Sequence, residues 1–366
     1  MFRASALSLM LLAVACTKTE PITYQGPGSY WQMTMNPDGG FTTTRAPDVG
    51  LPAELTVSGS YSQRPSGFIR YTVESASGSE APVPGAAAWG LNIPGYVLLV
   101  QPDENNGQII PMLVSGECPA SAITLNWVKA SAQGSSGSAN EELFGVATLA
   151  SSGAPTLSMR RALTPGFPEV LGGGDNTTAT GCSNGVLTLQ NPSENIRVFL
   201  TASGGAIVDT PNGAVIATPQ ASISASALVA DYIGFVFADD SPDGSQIPAS
   251  ATATLSGASL SVTANVVTNR DTGATDATRY AQLTLNTFNA FSTNGLITGS
   301  AVIHSPDLSD GMTSGQSVML NVACNGIPNV IGSGKNMLFC VSQGFSNSGA
   351  TTAPPSKPFS MLFVSR

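Results

Sequence analysis

The stretch YWQMTMNPDGGF, residues Tyr30–Phe41, recurs 250 residues later as YAQLTLNTFNAF, residues Tyr280–Phe291. Five positions are identical in the two copies, and two methionines of the first copy are leucines of similar volume in the second. A shorter copy, FGVATL, lies at Phe144–Leu149. The side chains of each copy alternate in character, which is typical of a β-strand with two different faces. The sequence therefore predicts a chain built from a duplicated β-unit.

Other short apolar runs follow the first copy, with glycine and proline between them, and no long stretch has helical periodicity. The segment NPDGG between the first two runs is a turn signal with glycines available for positive φ. Links this short join antiparallel strands. The strands predicted in this part of the chain are Tyr30–Asn36, Phe41–Ala46, Glu54–Tyr61, Phe68–Glu74, Gly95–Gln101, Gln108–Val114 and Ile123–Lys129.

The repeated copies begin near residues 30, 144 and 280, and the last copy is truncated. These spacings exceed the 20–50 residues of solenoid and propeller repeats, so they indicate duplication on the scale of domains. We predict a β-domain at 28–164, a Gly/Thr-rich linker at 165–181 and a second β-domain at 182–366. Each would be an antiparallel β-barrel or β-sandwich, because both arrangements remove exposed strand edges.

The N-terminus, residues 1–15, has the pattern of a signal peptide. Arg3 supplies a positive charge, an apolar run follows, and small residues precede Cys16. The tetrapeptide Ala13-Val14-Ala15-Cys16 resembles the lipobox of bacterial lipoproteins. That resemblance implies cleavage before Cys16, lipidation of Cys16 and a lipidated tether at 16–27.

The residue after the cysteine is Thr17, where an Asp would favour retention at the inner membrane. The lipoprotein resemblance therefore implies a lipid anchor in the outer membrane, on either its periplasmic side or the cell surface. No later apolar run is long enough to cross a bilayer.

Composition restricts the classes of partner. Only 10% of the residues are charged, against about 25% in typical soluble domains. The net charge is −9, and no basic segment with interleaved aromatic residues is present, so nucleic-acid binding is not expected. The hydrophobic fraction of 42% is sufficient for packed cores.

Four cysteines remain beyond Cys16, and an even number in an exported chain predicts two disulfides with three alternative connectivities. Cys324 and Cys340 lie on neighbouring predicted strands, so we expect them to pair. Cys118 and Cys182 would then form the second bond, across the linker. A metal site is disfavoured because the chain has no CxxC pair and a single histidine.

Two acidic loops offer candidate ligands for Ca²⁺ binding. The loop after Gln101 contains Asp103, and the equivalent loop in the second half contains Asp239, Ser241 and Asp243. The second loop starts like an EF-hand but has Ser250 where the acidic twelfth ligand would be. Asp, Asn and Gly are also the ordinary residues of hairpin turns.

Three tryptophans, Trp31, Trp89 and Trp127, are all in the first predicted domain. Exposed tryptophans could stack on a ligand or bind a partner, although burial in a core is the alternative. The only histidine, His304, precedes a turn, and no Gly-x-Ser-x-Gly segment accompanies it as a hydrolase triad would require.

These observations favour a lipid-anchored, non-enzymatic binding or structural module of the cell envelope with an unknown partner. One alternative is a carrier of an apolar ligand, because Gly28-Ser29-Tyr30-Trp31 resembles the Gly-x-Trp opening of lipocalins with the tryptophan one place late. A second alternative is a glycan hydrolase with a carboxylate pair, which sequence spacing does not reveal.

Overall fold

A computed structural model of the protein describes residues 20–27, 29–93, 95–102, 109–131, 143–162, 169, 177–192, 195–201, 204–210, 213–239, 246–256, 260–285, 295–304, 317–343 and 358–366. Within these ranges the chain forms 24 β-strands, one short α-helix and one 3-10 turn. The predicted all-β, antiparallel class is confirmed. The strands divide into two closed barrels of eight strands and a third, eight-stranded sheet between them in sequence.

The first barrel has eight strands that pair in sequence order, and its last strand pairs with its first. The strands are β1 (Ile22–Gly26), β2 (Tyr30–Met35), β3 (Gly40–Ala46), β4 (Leu55–Gln63), β5 (Ile69–Gly78), β6 (Ala87–Ile93), β7 (Val97–Pro102) and β8 (Ile110–Val114).

The middle sheet has the strand order β11-β10-β9-β16-β15-β14-β13-β12, so that β11 and β12 are its two edges. Its strands are β9 (Ile123–Ser131), β10 (Leu143–Leu149), β11 (Thr156–Arg161), β12 (Thr178–Ser183), β13 (Val186–Gln190), β14 (Asn195–Leu200), β15 (Ala206–Thr210) and β16 (Gly213–Pro219). The two edges meet at an isolated bridge between Gly153 and Ala179.

The second barrel follows a one-turn helix, α1 (Ala225–Leu228). It is also closed, because its last strand pairs with its first strand. Its strands are β17 (Ala230–Asp239), β18 (Gln246–Ser256), β19 (Leu260–Asn269), β20 (Ala274–Leu285), β21 (Leu296–His304), β22 (Ser317–Ile327), β23 (Met337–Gln343) and β24 (Pro358–Ser365), with a 3-10 turn at Val330–Gly332 before β23.

The repeated stretches are strands in all three units, but at different places in them. Tyr30–Met35 is β2, the copy at 144 lies in β10, and the copy at 280 ends β20. They are therefore the second strand of the first barrel, the second strand of the middle sheet and the fourth strand of the second barrel. The repeated stretch is therefore not the first strand of any of the three units.

The sheets also divide the chain differently from the predicted domain limits. Strand β11 precedes the predicted linker at 165–181 and strand β12 begins within it, yet both belong to the middle sheet. Most of that linker lies outside the described residues. At the N-terminus, Ile22–Gly26 falls within the predicted tether and instead forms β1, the strand that closes the first barrel. The predicted signal peptide and Cys16 lie outside the described residues.

Three apolar cores hold the units together. The inside of the first barrel is filled by large side chains, including Tyr24, Met35, Phe41 and Tyr71. A second core, which includes Trp127, lies on one face of the middle sheet. The third core is shared, because it contains buried residues of all three units, for example Tyr96, Val128 and Phe339.

Both predicted disulfides are present in the structure. Cys324 of β22 and Cys340 of β23 are direct cross-strand partners. Their side chains lie on the inner face of the second barrel, since the alternating neighbours Phe339 and Val341 belong to the shared core outside it. Cys118, in the connection between β8 and β9, is bonded to Cys182 on the edge strand β12.

Candidate functional site

Two loops at one end of the first barrel carry its most exposed large apolar side chains. Residues 47–54 join β3 to β4, and residues 79–86 join β5 to β6. The loops are tied side by side, because the amide of Ser79 donates to the carbonyl of Glu54 at 3.0 Å. The amide of Glu54 in turn donates to the carbonyl of Arg45 at 2.8 Å. We call these two loops together the display loops.

Each display loop holds one apolar side chain in solvent. Val83 is 66% exposed and Leu51 is 53% exposed. Val83 stands between Pro82 and Pro84, and Leu51 precedes Pro52. Because each proline fixes its own φ and restricts the residue before it, both side chains are presented on stiff backbone. An exposed apolar side chain on stiff backbone loses little conformational entropy when a partner covers it.

The loop that carries Val83 is fastened to the barrel by an ion pair. The Arg45 guanidinium lies 2.8 Å from a carboxylate oxygen of Glu80 and 5.7 Å from the ring centroid of Trp31. Trp31 is half-buried and packs against the core inside the barrel. Trp31 is one of the predicted ligand contacts. In the structure it packs against Arg45, the residue whose ion pair holds the loop that carries Val83.

The loop that carries Leu51 is fastened to the middle sheet. An Asp48 carboxylate oxygen lies 2.8 Å from the guanidinium of Arg197 on β14, which also donates to the Thr188 hydroxyl at 2.6 Å. Hydrogen bonding from Arg197 lowers the pKa of the Asp48 carboxyl group. Beside this pair, the rings of Tyr30 and Phe199 stack with centroids 6.1 Å apart. Each display loop is thus held in place by its own ion pair between an arginine and a carboxylate.

The display loops lie at the end of the barrel away from the N-terminus. Strand β1 runs from Ile22 to Gly26, and Gly26 pairs with Trp31, which pairs with Arg45. Arg45 pairs with Leu55, the residue that follows the first display loop. The chain therefore enters the barrel at the end opposite to Val83 and Leu51.

The other two tryptophans are buried. Trp89 lies near the guanidinium groups of both Arg70 and Arg270, which are 5.9 and 5.6 Å from its ring centroid. Arg270 comes from the second barrel and also donates to the side-chain oxygen of Gln101 at 3.1 Å, so Trp89 is part of the contact between the barrels. Trp127 is buried in the middle sheet, and its indole N–H has no hydrogen-bond partner among the residues that the structure describes.

The predicted Ca²⁺ ligands Asp103, Ser241 and Asp243 lie outside the described residues, and Asp239 ends β17. Across the described ranges, no group of three or more metal-binding side chains occurs. His304 ends β21, as expected of a histidine that precedes a turn.

The inside of the first barrel bears on the carrier hypothesis. The hydroxyl of Tyr24 donates to the Asn92 side-chain oxygen at 3.1 Å, and the hydroxyl of Tyr71 lies 3.7 Å from the sulfur of Met35. Burial raises the pKa of Tyr24 to about 12 and raises that of Tyr71 well above its usual value. Aromatic side chains occupy the space that an apolar ligand would need, so this barrel has a side-chain core.

Within the part of the chain that the structure describes, no helix has the length and hydrophobicity of a transmembrane segment.

No protein-family model and no curated protein match the chain. Among solved structures, it is similar to a tryptophan-to-alanine mutant of the vaccine antigen Transferrin Binding Protein B (TbpB) from Haemophilus parasuis Hp5. The two share 10% identity with a TM-score of 0.28, over 94% of this chain and 66% of that chain. A TM-score this low is no evidence of a shared function.

Sequence patterns alone do not reveal the display loops. A signal for them exists, since an apolar residue between two prolines, as in Pro82-Val83-Pro84, is an unusual loop tip. That signal does not tell an exposed valine from one that packs on the barrel, because the exposure depends on where the loop lies.

Proposed function

We propose that this chain is a non-enzymatic binding module of the cell envelope, anchored in the outer membrane through lipid on Cys16, and that it binds a protein partner through the display loops. The observation that carries the proposal is the pair of exposed apolar side chains, Val83 and Leu51, on stiff loops held by ion pairs. Side chains on a preorganised surface lose little conformational entropy when a partner covers them, which supports a role for these two in binding.

The chemistry of the loops favours a protein over a membrane surface as the partner. Binding to anionic lipid is driven by an excess of Lys and Arg beside apolar side chains. Here Arg45 is matched by Glu80, and Arg197 is matched by Asp48. The partner we propose is therefore a protein with an apolar pocket and a polar rim.

The position of the loops fits an anchored protein. With Cys16 in the membrane, the chain enters the first barrel at Ile22, and the display loops lie at the opposite end. They would therefore face away from the membrane, where a partner has access. The hydrolase alternative stays a prediction.

The test begins with a photo-reactive amino acid at position 83 in the anchored protein in intact cells. We expect cross-linking to one protein species, and no such species with the same label at Val229, an apolar residue of similar exposure at 46%. The cross-linked partner is then identified and purified, and its affinity for the soluble chain, residues 20–366, is measured by titration.

The titration tests whether the display loops bind the partner. Val83→Asp and Leu51→Asp are expected to raise the Kd at least tenfold each, because a carboxylate would be desolvated in an apolar pocket. The matched control Val229→Asp should leave the Kd unchanged. Equal affinity of all four proteins would exclude the display loops as the binding surface.

A further inference from the structure

A cavity of about 240 Å³ lies where the two barrels meet. It is formed by the turn between β4 and β5 of the first barrel and by the ends of strands of the second barrel. Its lining residues are Gln63, Arg64, Pro65, Ser66, Gly67, Leu91, Asn92, Ile233, Lys335, Val364, Ser365 and Arg366. We call it the inter-barrel cleft.

The floor of the cleft is apolar and depends on a close approach of the two barrels. Leu91, Ile233 and Val364 are buried members of the shared core. Gly67 has φ +95°, and a Cβ atom there would lie 2.7 Å from Cδ1 of Ile233. The positive φ favours glycine, and a larger residue here would require the Ile233 side chain to shift. The rings of Phe68 and Phe235 pack beside this turn with centroids 5.9 Å apart.

The rim of the cleft is cationic. Arg64, Lys335 and Arg366 line it, which are three of the 14 Lys and Arg residues of a chain with net charge −9. Among the described residues, no Asp or Glu side chain lines it. Asp271, from the turn after β19, lies next to the cleft with Oδ1 2.9 Å from Nε of Arg64, and this contact leaves the outer nitrogens of the guanidinium for a ligand.

One neutral side chain adds a hydrogen-bond donor. Asn92 also lines the cleft, but its side chain accepts from Tyr24 at 3.1 Å inside the first barrel. The Ser365 hydroxyl accepts from the amide of Asn336 at 2.8 Å, which leaves its O–H to donate. The lining thus combines an apolar floor with donors and positive charge, and this combination suits an anion attached to an apolar group.

We propose that the inter-barrel cleft binds a phosphate monoester on a short apolar group. Two guanidinium groups and an ammonium group match the oxygens of phosphate, and guanidinium groups bind such oxygens in pairs of parallel hydrogen bonds. The volume is below the 300–1,000 Å³ of a drug-sized site, so the bound part of the ligand is small. A phosphorylated lipid head group and a soluble phosphate monoester share this chemistry.

The position of the cleft connects it with the membrane. The turn between Gln63 and Ile69 is at the opposite end of β4 and β5 from Leu55 and Gly78, which flank the display loops. It therefore lies at the end of the first barrel where β1 begins at Ile22. If the chain is anchored through Cys16, as the proposed function states, the cleft is on the membrane side and a lipid head group is within its reach.

The first test uses phenyl phosphate and isothermal titration calorimetry on the soluble chain, residues 20–366. We expect saturable binding of one molecule that weakens as salt is raised, and no binding of the uncharged analogue benzyl alcohol. Lys335→Gln and Arg366→Gln should each weaken binding at least tenfold. Arg160→Gln removes a cation from the middle sheet, 3.9 Å from Glu169, and should leave binding unchanged. Absence of saturable phenyl phosphate binding, or equal affinity of the variants, would overturn the proposal.

Because Lys335 and Arg366 are not buried, both variants should fold, and an unchanged thermal transition verifies this. Flotation with phosphatidylcholine vesicles that contain phosphatidic acid, compared with vesicles of phosphatidylcholine alone, separates the two sources of the phosphate. Binding to both probes supports a lipid head group, and binding to phenyl phosphate alone supports a soluble ester. The Val83→Asp variant should retain phosphate binding. A failure of the cleft to bind phosphate can therefore be distinguished from a failure of the proposed protein interaction.

Discussion

A glycine allows a close approach of the first barrel to the middle sheet. Gly205, just before β15, lies against the wholly buried ring of Tyr96, and a Cβ atom there would be 2.3 Å from a ring carbon. The Tyr96 hydroxyl donates to the carbonyl of Ala217 on β16 at 3.3 Å, and burial raises its pKa. The ring is buried and hydrogen-bonded, so a larger residue at position 205 would press directly against it.

We therefore expect Gly205→Ala to lower the free energy of unfolding by about 1–3 kcal/mol, the usual cost of overpacking a core. The control is Gly181→Ala, because a Cβ atom at Gly181 would have no heavy atom of the described residues within 4 Å. Urea denaturation of both variants measures the difference. An unchanged midpoint for Gly205→Ala would show that the barrel shifts on the sheet at little cost.

At the scale of elements, the edge strand β12 is weakly attached to the middle sheet. Among the described strands it pairs along its length with β13 only, and it touches the opposite edge through the Gly153–Ala179 bridge. The disulfide from Cys118 to Cys182 ties it covalently to the connection that leaves the first barrel. The disulfide thus compensates for the strand pairing that a closed barrel would supply.

Replacing Cys118 and Cys182 together by alanine should destabilise the protein by about 4 kcal/mol on the loop-entropy estimate, since the bond closes 64 residues. The backbone amides of β12 should also exchange with solvent at least tenfold faster, because the edge strand is then free to open. Hydrogen exchange followed by mass spectrometry measures this.

The control is the double alanine variant of Cys324 and Cys340, whose bond closes 16 residues inside the second barrel. This variant should lower the overall free energy of unfolding. Hydrogen exchange of the β12 amides should become faster only by the factor that this loss of global stability predicts. Equal exchange of β12 in both double variants would contradict the proposed role of the first disulfide.

At the scale of the whole molecule, the three units share one core and should unfold together. Strand β9 of the middle sheet contributes Val128 to that core. Beside it, the Asn325 side chain of the second barrel donates to the carbonyl of Asn126 at 3.2 Å and also to the Thr218 hydroxyl. Arg270 links the second barrel to Gln101 and Trp89 of the first barrel.

We expect a single calorimetric transition with equal calorimetric and van't Hoff enthalpies, although a chain of this length with separate domains would show several transitions. The expected cause is exposure of the shared core when any one unit opens. Two or more resolved transitions would show that the units are thermodynamically independent. A Val128→Ala variant should lower the melting temperature of the one transition without dividing it.

The sequence by itself predicted the all-β antiparallel class, most strands of the first barrel, and, as the expected one of three connectivities, the pairing of the cysteines. Alternation of side chains in YWQMTM and the turn at NPDGG follow from local backbone preferences, so the predicted ends of β2 and β3 agree with the observed ends within one residue. The pairing of Cys324 with Cys340 also follows from proximity along a predicted hairpin.

Only the tertiary structure decided which strands share a sheet and which loops are exposed. Strand β9 pairs with β16 across a predicted linker, because hydrogen bonding between distant strands depends on closure of the sheet and not on the composition between them. The same holds for Val83 and for the cleft around Lys335, which form where separate loops or separate barrels meet. Such sites depend on packing between units, which no local pattern of residues encodes.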